Sequence, residues 1–247
     1  LARAQALEAQ GQEIIHLEIG QPDFETYPHI SKAGIGAIAA GQTKYNPPAG
    51  VPALREALAQ DAGRLRGVQI SPEQVIIAPG TKPLLLLPML ALLQAGDEVL
   101  YPDPGFPSYE AAIGLAGAKP VPVPLLEEEG FDLDLATFDA ALSPRTRMIL
   151  LNSPSNPTGG IHAPGTLTHV AAAARRKNLW VLSDEIYTRL VYEGETASIA
   201  SLPGMLERTI IADGFSKTYA MTGWRLGFGI MPKPLADKID LLLTHSV

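Results

Sequence analysis

The sequence predicts an α/β fold in which a mainly parallel sheet of seven strands is covered by helices on both faces. Short apolar runs alternate with segments of helical periodicity, which is the pattern of repeated βα units. Residues 148–151 and 180–183 are apolar at nearly every position, as expected for strands that are buried on both faces. The 247 residues are enough for one large domain with a sizeable core.

Apolar runs bounded by turn residues predict the seven strands, at residues 74–78, 98–101, 119–123, 147–151, 179–183, 209–212 and 226–230. Helical spacing with a Ser, Asp or Pro start signal, or a terminal Gly, predicts helices at residues 51–66, 83–93, 108–116, 135–142, 164–177 and 234–243. We expect Pro88 to kink or break its helix, because proline has no amide hydrogen to donate.

Three parts are expected along the chain. Residues 1–42 form a less regular N-terminal arm or small-domain segment, residues 43–232 form the large domain, and residues 233–247 begin a further helix. The chain starts with Leu1, and the last helical pattern stops without a capping residue. We therefore expect a fragment of a longer protein.

The composition argues against several functional classes. The formal charge is −7, and no run of Lys or Arg gives an electrostatic reason to bind nucleic acid or an anionic membrane. The absence of cysteine excludes disulfides, thiolate metal ligands and a cysteine nucleophile, and no metal site is expected. The most apolar run, residues 83–96, is shorter than the ~20 residues that span a bilayer. We expect a cytoplasmic protein.

Ligands of open α/β sheets gather beyond the carboxyl ends of the strands, so the residues at these positions are informative. After the first strand, Gly80 and Thr81 open a helix whose N-terminus can bind phosphate, although most such turns bind nothing. Phe106 follows the second strand and either packs on the core or stacks on a flat ring. Asn156 lies in the tightly turned loop "NSPSNPTGG", for which a simple chain reversal is the alternative.

Two carboxylates and a phenol follow the fifth strand. Asp184 comes directly after the apolar run, where a carboxylate requires a cation or hydrogen-bond donors. Capping of a following helix accounts for Asp184 or Glu185, but hardly for both together with Tyr187. This end of the sheet therefore predicts a polar site.

The stretch "DGFSKTYAMTGWR" follows the sixth strand and contains Ser216, Lys217 and Arg225. A lone lysine is ordinarily solvated, but the residues around Lys217 are apolar or small. Partial burial would lower the pKa of its amine and free it for Schiff-base chemistry. Arg225 suits a planar anion such as phosphate. Together with the residues after the other strands, these groups are those that a pyridoxal phosphate (PLP) site requires.

Six blocks of the sequence resemble, in order and over nearly the whole length, the class I/II aminotransferases. These are fold-type I PLP enzymes of the aspartate aminotransferase-like superfamily. The blocks are "LEIGQPDF", "TKYNPPAGVPALREALA", "APGTK", "NSPSNPTGG", "SDEIY" and "GFSKTYAMTGWRLG".

The resemblance implies a role for each matching residue. Lys217 corresponds to the lysine that forms the internal aldimine and moves a proton between Cα and the cofactor. Asp184 corresponds to the acid that keeps the pyridine nitrogen protonated. Asn156 and Tyr187 correspond to the residues that hydrogen-bond the phenolic oxygen of the ring.

Further cofactor contacts are implied at Gly80, Thr81, Lys82, Phe106, Ser216 and Arg225, with Thr81 and Lys82 binding phosphate through their backbone N–H groups. Tyr45 resembles the tyrosine that reaches the phosphate of the neighbouring subunit, which implies a homodimer with shared active sites. Gly20 and Asn156 are implied to line the pocket for the substrate carboxylate.

The sequence departs from the family pattern at two positions. Phe106 stands where relatives often have Trp or Tyr, so a ring hydrogen bond is lost while stacking is kept. Gly214 stands where some members have a phosphate-binding Ser, so that contact is expected to be lost. The family's C-terminal small domain, with the arginine that grips the substrate carboxylate, is expected after residue 247.

The function implied is ping-pong transamination between an L-amino acid and a 2-oxo acid. Two alternatives remain at this stage. One is a PLP-dependent lyase or synthase on the same fold. The other is a non-catalytic PLP-binding domain of a transcription regulator, against which the acidic charge and the lack of a basic linker at residues 1–12 argue.

Overall fold

The fold was analysed on a computed structural model that describes residues 1–16 and 20–246. Residues 17–19, which begin the block "LEIGQPDF", and residue 247 lie outside the described residues. The strands are β1 (Val75–Ala78), β2 (Glu98–Asp103), β3 (Lys119–Leu126), β4 (Asp132–Leu133), β5 (Thr146–Asn152), β6 (Trp180–Asp184), β7 (Thr209–Gly214) and β8 (Gly227–Ile230). The helices are α1 (Ala2–Glu8), α2 (Pro28–Ala39), α3 (Pro52–Arg66), α4 (Lys82–Leu92), α5 (Ser108–Leu115), α6 (Leu135–Ala141), α7 (Pro164–Lys177) and α8 (Lys233–Ser246).

The strands form one mixed sheet in the order β1-β8-β7-β6-β5-β2-β3-β4. The neighbours from β7 to β3 are paired in parallel, whereas β8 runs antiparallel to both β7 and β1. The predicted mainly parallel sheet is confirmed, and each of the seven predicted strands is present. The eighth strand, β4, pairs antiparallel with β3 over two residues, which is too short to produce a periodic signal in the sequence.

Each of the six predicted helices is present, and α1 and α2 add to them. No residue of α1 or α2 is buried, so neither helix contributes to the core of the described structure. Pro88 lies inside α4, which continues for four more residues. The expectation of a break is therefore wrong, because one missing amide donor leaves the other hydrogen bonds of the helix in place, while the kink stays a prediction.

The sheet is covered on both faces, as predicted. Along β5, Met148 and Leu150 pack in one cluster, which includes buried residues of α4, α5 and α8. The alternate residues Ile149 and Leu151 pack in a second cluster with α6 and α7. Buried residues of α3 pack against β1, β7 and β8. This packing on both faces holds the strands in place, so the residues that follow the strands lie at a defined edge of the sheet.

The carboxyl ends of β1, β2, β5, β6 and β7 meet at one edge of the sheet, because β1 is antiparallel to β8 and therefore parallel to β7. The residues after these strands, which are far apart in the sequence, come together there. Among the helices of the described part of the chain, none has the length and apolar character needed to cross a membrane.

Candidate active site

A cavity of about 720 Å³ opens at the edge where the parallel strands end. Its lining includes ten of the predicted site residues: Gly20, Thr81, Lys82, Phe106, Asn156, Asp184, Tyr187, Ser216, Lys217 and Arg225. Gln21, Leu85, Pro107, Tyr109, Ile186 and Thr222 complete the lining. The volume lies in the range of pockets for small ligands and cofactors, roughly 300–1,000 Å³.

Asp184, the last residue of β6, is a buried carboxylate that faces this cavity. Its Oδ2 accepts a hydrogen bond from the hydroxyl of Tyr109 (2.9 Å) and its Oδ1 accepts one from the N–H of Ile186 (3.3 Å). Burial raises the pKa of Asp184 to about 7, although these two hydrogen bonds oppose the rise. Asp184 has no cationic partner among the described residues, so a cation bound in the cavity would stabilise its ionised form.

Lys217 reaches the same cavity from the loop after β7. Its Nζ donates to the carbonyl oxygen of Gly20 (2.5 Å) and lies 5.8 Å from the centre of the Tyr187 ring. Burial lowers the pKa of the Lys217 amine. A lowered pKa increases the fraction of amine that is uncharged at neutral pH and able to attack a carbonyl carbon.

The part of the cavity lined by Thr81, Lys82 and Arg225 is suited to an anion. The helix α4 begins at Lys82, and within the described residues neither the N–H of Thr81 nor that of Lys82 has an acceptor. The Arg225 guanidinium donates to the carbonyl oxygen of Thr222 (3.0 Å) and has no carboxylate partner in the described part of the chain. A helix N-terminus beside an unpaired guanidinium is a strong site for phosphate.

Gly80 does not line the cavity, but it makes room for Arg225. A Cβ atom at Gly80 would lie 2.4 Å from an Arg225 guanidinium nitrogen, and Gly80 has a φ of +87°. Gly214 is similarly confined, since a Cβ atom there would lie 2.9 Å from the Thr81 hydroxyl oxygen. A serine at this position would therefore require the Thr81 side chain to shift.

The same cavity is also lined by Asn156, Phe106 and Tyr187. The backbone N–H of Asn156 donates to Oδ1 of Asn152 (2.7 Å), and its side-chain amide has no partner in the described residues. The Phe106 ring packs edge-on against Tyr109, with ring centres 5.6 Å apart. Burial, and secondly Asp184, raises the pKa of the Tyr187 phenol, which keeps its proton available for donation.

Tyr45, like Gly80, is a predicted site residue that does not line the cavity. Its side chain is fully exposed, and it contributes nothing to the lining. Its expected role is toward a neighbouring subunit, and that role stays a prediction.

Comparisons with known proteins agree with this geometry. The model of the family "Aminotransferase class I and II" matches residues 12–246. The chain belongs to the class I and II aminotransferase family.

Similar relatives carry more specific names. A "Probable aspartate/prephenate aminotransferase" of Thermus aquaticus is 43% identical over 94% of this chain and 60% of its own length. An "Aromatic-amino-acid aminotransferase 2" of Thermococcus litoralis is 44% identical, with the same shares covered. The structure of Thermus thermophilus aspartate aminotransferase with maleate superposes with a TM-score of 0.96 at 39% identity, covering 99% of this chain and 64% of that one. The chain thus spans about 60% of the length of the curated relatives it matches.

Class I and II aminotransferases use PLP, and the cavity of this aminotransferase chain fits that cofactor. A buried carboxylate without a cationic partner matches a protonated ring nitrogen, and the free N–H groups and Arg225 match a phosphate. The half-buried amine of Lys217 lies in the same cavity. Among the described residues, no group of three or more His, Cys, Asp or Glu side chains could hold a metal ion.

Beside the cavity, the aminotransferase chain contains a buried charge network that the sequence analysis missed. Arg66, at the end of α3, donates to Glu185 (2.7 Å) and Asp213 (3.0 Å). Burial raises the pKa of Asp213 to about 6, with Arg66 opposing the rise. Hydroxyls of Ser183 (2.9 Å) and Ser198 (2.6 Å) also donate to Glu185. Glu185 therefore faces the structural network, while Asp184 faces the cavity.

The substitution Arg66→Met is expected to destabilise the fold by about 3–5 kcal/mol, because it leaves two buried carboxylates without their cation. The measurement is the free energy of unfolding in denaturant at pH 7. The matched control is Arg64→Met in the same helix turn, where the pair with Asp61 is exposed and contributes about 1 kcal/mol or less. Equal effects of the two substitutions would show that the Arg66 network adds no stability.

Proposed function

We propose that the chain is the cofactor-binding part of a PLP-dependent aminotransferase that transfers an amino group between an L-amino acid and a 2-oxo acid. The observation that carries this proposal is the single cavity shared by the Lys217 amine, the Asp184 carboxylate and the anion-binding start of α4. The family membership supports the same reaction. The boundaries 1–42, 43–232 and 233–247 for the parts of the chain stay a prediction.

When bound, PLP supplies an aldehyde carbon and a ring that accepts an electron pair. The ring nitrogen would be held in its protonated form by the Asp184 carboxylate. The Asn156 amide and the Tyr187 hydroxyl would donate to the ring oxygen, and Phe106 would cover the face of the ring. The phosphate would be held by the N–H groups of Thr81 and Lys82, together with Ser216 and Arg225.

Lys217 has two tasks in this proposal. Its uncharged amine would hold the cofactor covalently through the aldehyde carbon, whose oxygen leaves as water, and its Nζ would accept and return a proton once an amino acid has displaced it. The hydrogen bond from Nζ to the carbonyl oxygen of Gly20 holds the amine beside the N-terminal segment of the chain. Gly20 and Asn156 are proposed to line the place of the substrate carboxylate.

We propose a homodimer, in which the exposed residue Tyr45 would have a function. Tyr45 is fully exposed and lies away from the cavity of its own chain, and Ile35 and Ile38 of α2 are more than two-thirds exposed. A second copy on this surface would bury these side chains and bring Tyr45 to the partner's site. Sedimentation at the mass of one chain would contradict this assembly. A cytoplasmic location stays a prediction.

The decisive experiment is a half-reaction on the full-length protein loaded with PLP. An amino acid supplied alone should convert the cofactor to pyridoxamine phosphate and release one equivalent of the 2-oxo acid. Aspartate and the aromatic amino acids come first in the panel, because similar relatives carry those names. Release of ammonia with PLP regenerated would instead support a lyase, and binding without turnover would support a regulatory domain.

A further inference from the structure

Tyr109 is the buried residue that links two predicted contacts of the cofactor ring. It lies in the first turn of α5 and is 1% exposed. Its hydroxyl donates to Oδ2 of Asp184 (2.9 Å), and its ring packs at 82° against the ring of Phe106. No residue of α5 belonged to the predicted site.

The direction of the hydrogen bond is fixed by the two proton affinities. Burial, and then the charge of Asp184, raises the pKa of the Tyr109 phenol well above its ordinary value. The phenol therefore keeps its proton and donates, whereas the Asp184 carboxylate accepts. A carboxylate offers about four acceptor positions, and Tyr109 and Ile186 occupy two of them.

Several other charged or titratable groups surround Asp184. Glu185 and Asp213 disfavour its ionisation, and Arg66 of α3 partly compensates them through its two ion pairs. The remaining charged or titratable side chains that line the cavity are Tyr187, Lys82, Lys217 and Arg225. Of the hydrogen bonds to the Asp184 carboxylate in the described structure, the one from Tyr109 is the only one that a side-chain substitution can remove.

We propose that Tyr109 is a positioning residue of the cofactor site, which fixes the ionised Asp184 carboxylate by its hydroxyl and the Phe106 ring by its own ring. The inference rests on the proposed PLP-binding function. Tyr109 does not itself react. Its hydrogen bond favours the ionised form of Asp184 against the effect of burial and orients the carboxylate, so that the remaining lone pairs are available to a cationic ring nitrogen.

The test uses Tyr109→Phe, which removes the hydroxyl and keeps the ring contact with Phe106. The control is Tyr101→Phe on β2, where the hydroxyl of a partly buried tyrosine makes no hydrogen bond within the described residues. Unfolding of the cofactor-free protein is followed from pH 4 to pH 9, each time with and without Asp184→Asn. The difference between the two curves isolates the titration of Asp184.

In the wild-type protein, the stability that depends on Asp184 is expected to fall as pH rises from about 4 and to level off above about 7, because the folded chain holds this proton more tightly than the unfolded chain. The pH at which the curve levels off marks the midpoint of the Asp184 titration in the folded chain. Tyr109→Phe should move the midpoint up by about one pH unit or more, a tenfold change in proton affinity. Tyr101→Phe should leave it in place. If Tyr109→Phe does not fold, 3-fluorotyrosine at position 109, a stronger donor, should move the midpoint down.

PLP affinity is measured in parallel at pH 7 and pH 9. Tyr109→Phe should weaken binding more at pH 7 than at pH 9, where Asp184 regains its charge. If the protein binds PLP but neither variant at position 109 shifts the midpoint of Asp184, the proposed role of Tyr109 is wrong. The proposed function is not affected by that result. Failure of the wild-type protein to bind PLP would overturn the proposed function and the cofactor role of Tyr109 together.

Discussion

The substitution Lys217→Ala is expected to abolish the borohydride-reducible bond between the protein and PLP and to slow transamination by roughly 10⁴-fold or more. Lys217 would supply both the covalent bond and the proton transfer, and proton transfer alone typically contributes about 10²–10⁴-fold. The amine lies in the cavity with its pKa lowered by burial. The measurement is the visible absorbance of the PLP-loaded protein, followed by mass analysis after reduction.

Two control variants make the result specific to the Lys217 amine. Lys217→Arg keeps the positive charge but cannot form the bond, so it should be as inactive as Lys217→Ala. Lys177→Ala, at the exposed end of α7, should behave as the wild-type protein does. A reducible bond retained in Lys217→Ala would overturn the assignment and direct attention to Lys82, which also lines the cavity.

The substitution Asp184→Asn is expected to slow transamination by about 100-fold or more and to weaken PLP binding. It removes the charge opposite the ring nitrogen while it keeps the shape of the side chain, and preorganised electrostatic contacts are typically worth about 10²–10³-fold in rate. Steady-state rates and PLP titration measure the two effects. Turnover near that of the wild-type protein would contradict an electrostatic role for Asp184.

The same substitution should stabilise the cofactor-free protein at pH 8 and above. Burial raises the pKa of Asp184 from 3.8 to about 7, so its ionisation in the folded chain costs up to about 4 kcal/mol once the pH exceeds the folded-state value. At pH 4 the carboxyl is protonated in the folded chain, and the difference should vanish. An Asn variant that is both less active and more stable at pH 8 would show that the loss of activity is not caused by a loss of stability.

Ten of the predicted site residues line one cavity, and the sequence could indicate them because the ends of strands are local features. Asp184 follows an apolar run directly and Lys217 follows another within a few residues, and the fold then brings these runs side by side. The eighth strand, β4, was missed because two residues give no period. The roles of most site residues came from the family resemblance rather than from the residues alone.

The sequence does not show which residues pair with the buried polar groups. Arg66 meets Glu185 and Asp213 across 119 and 147 residues, and Tyr109 meets Asp184 across 75. One usable signal was present. Arg66 lies four residues after the buried Ala62, so helical spacing places it on the buried face of α3, where a charge requires partners. Helical periodicity therefore indicates that Arg66 requires partners, but it does not identify them.

The insertion of β8 between β1 and β7 has a consequence for synthesis on the ribosome. About 150 residues separate β1 from β8, and β8 is the neighbour that joins β1 to the sheet. At about 5–20 residues per second, the apolar strand β1 waits on the order of 10–30 s for its partner. During that interval the nascent chain exposes the unpaired edge of an incomplete sheet, to which chaperones can bind. The Lys217 loop emerges just before β8, so the cavity and the sheet are completed almost together.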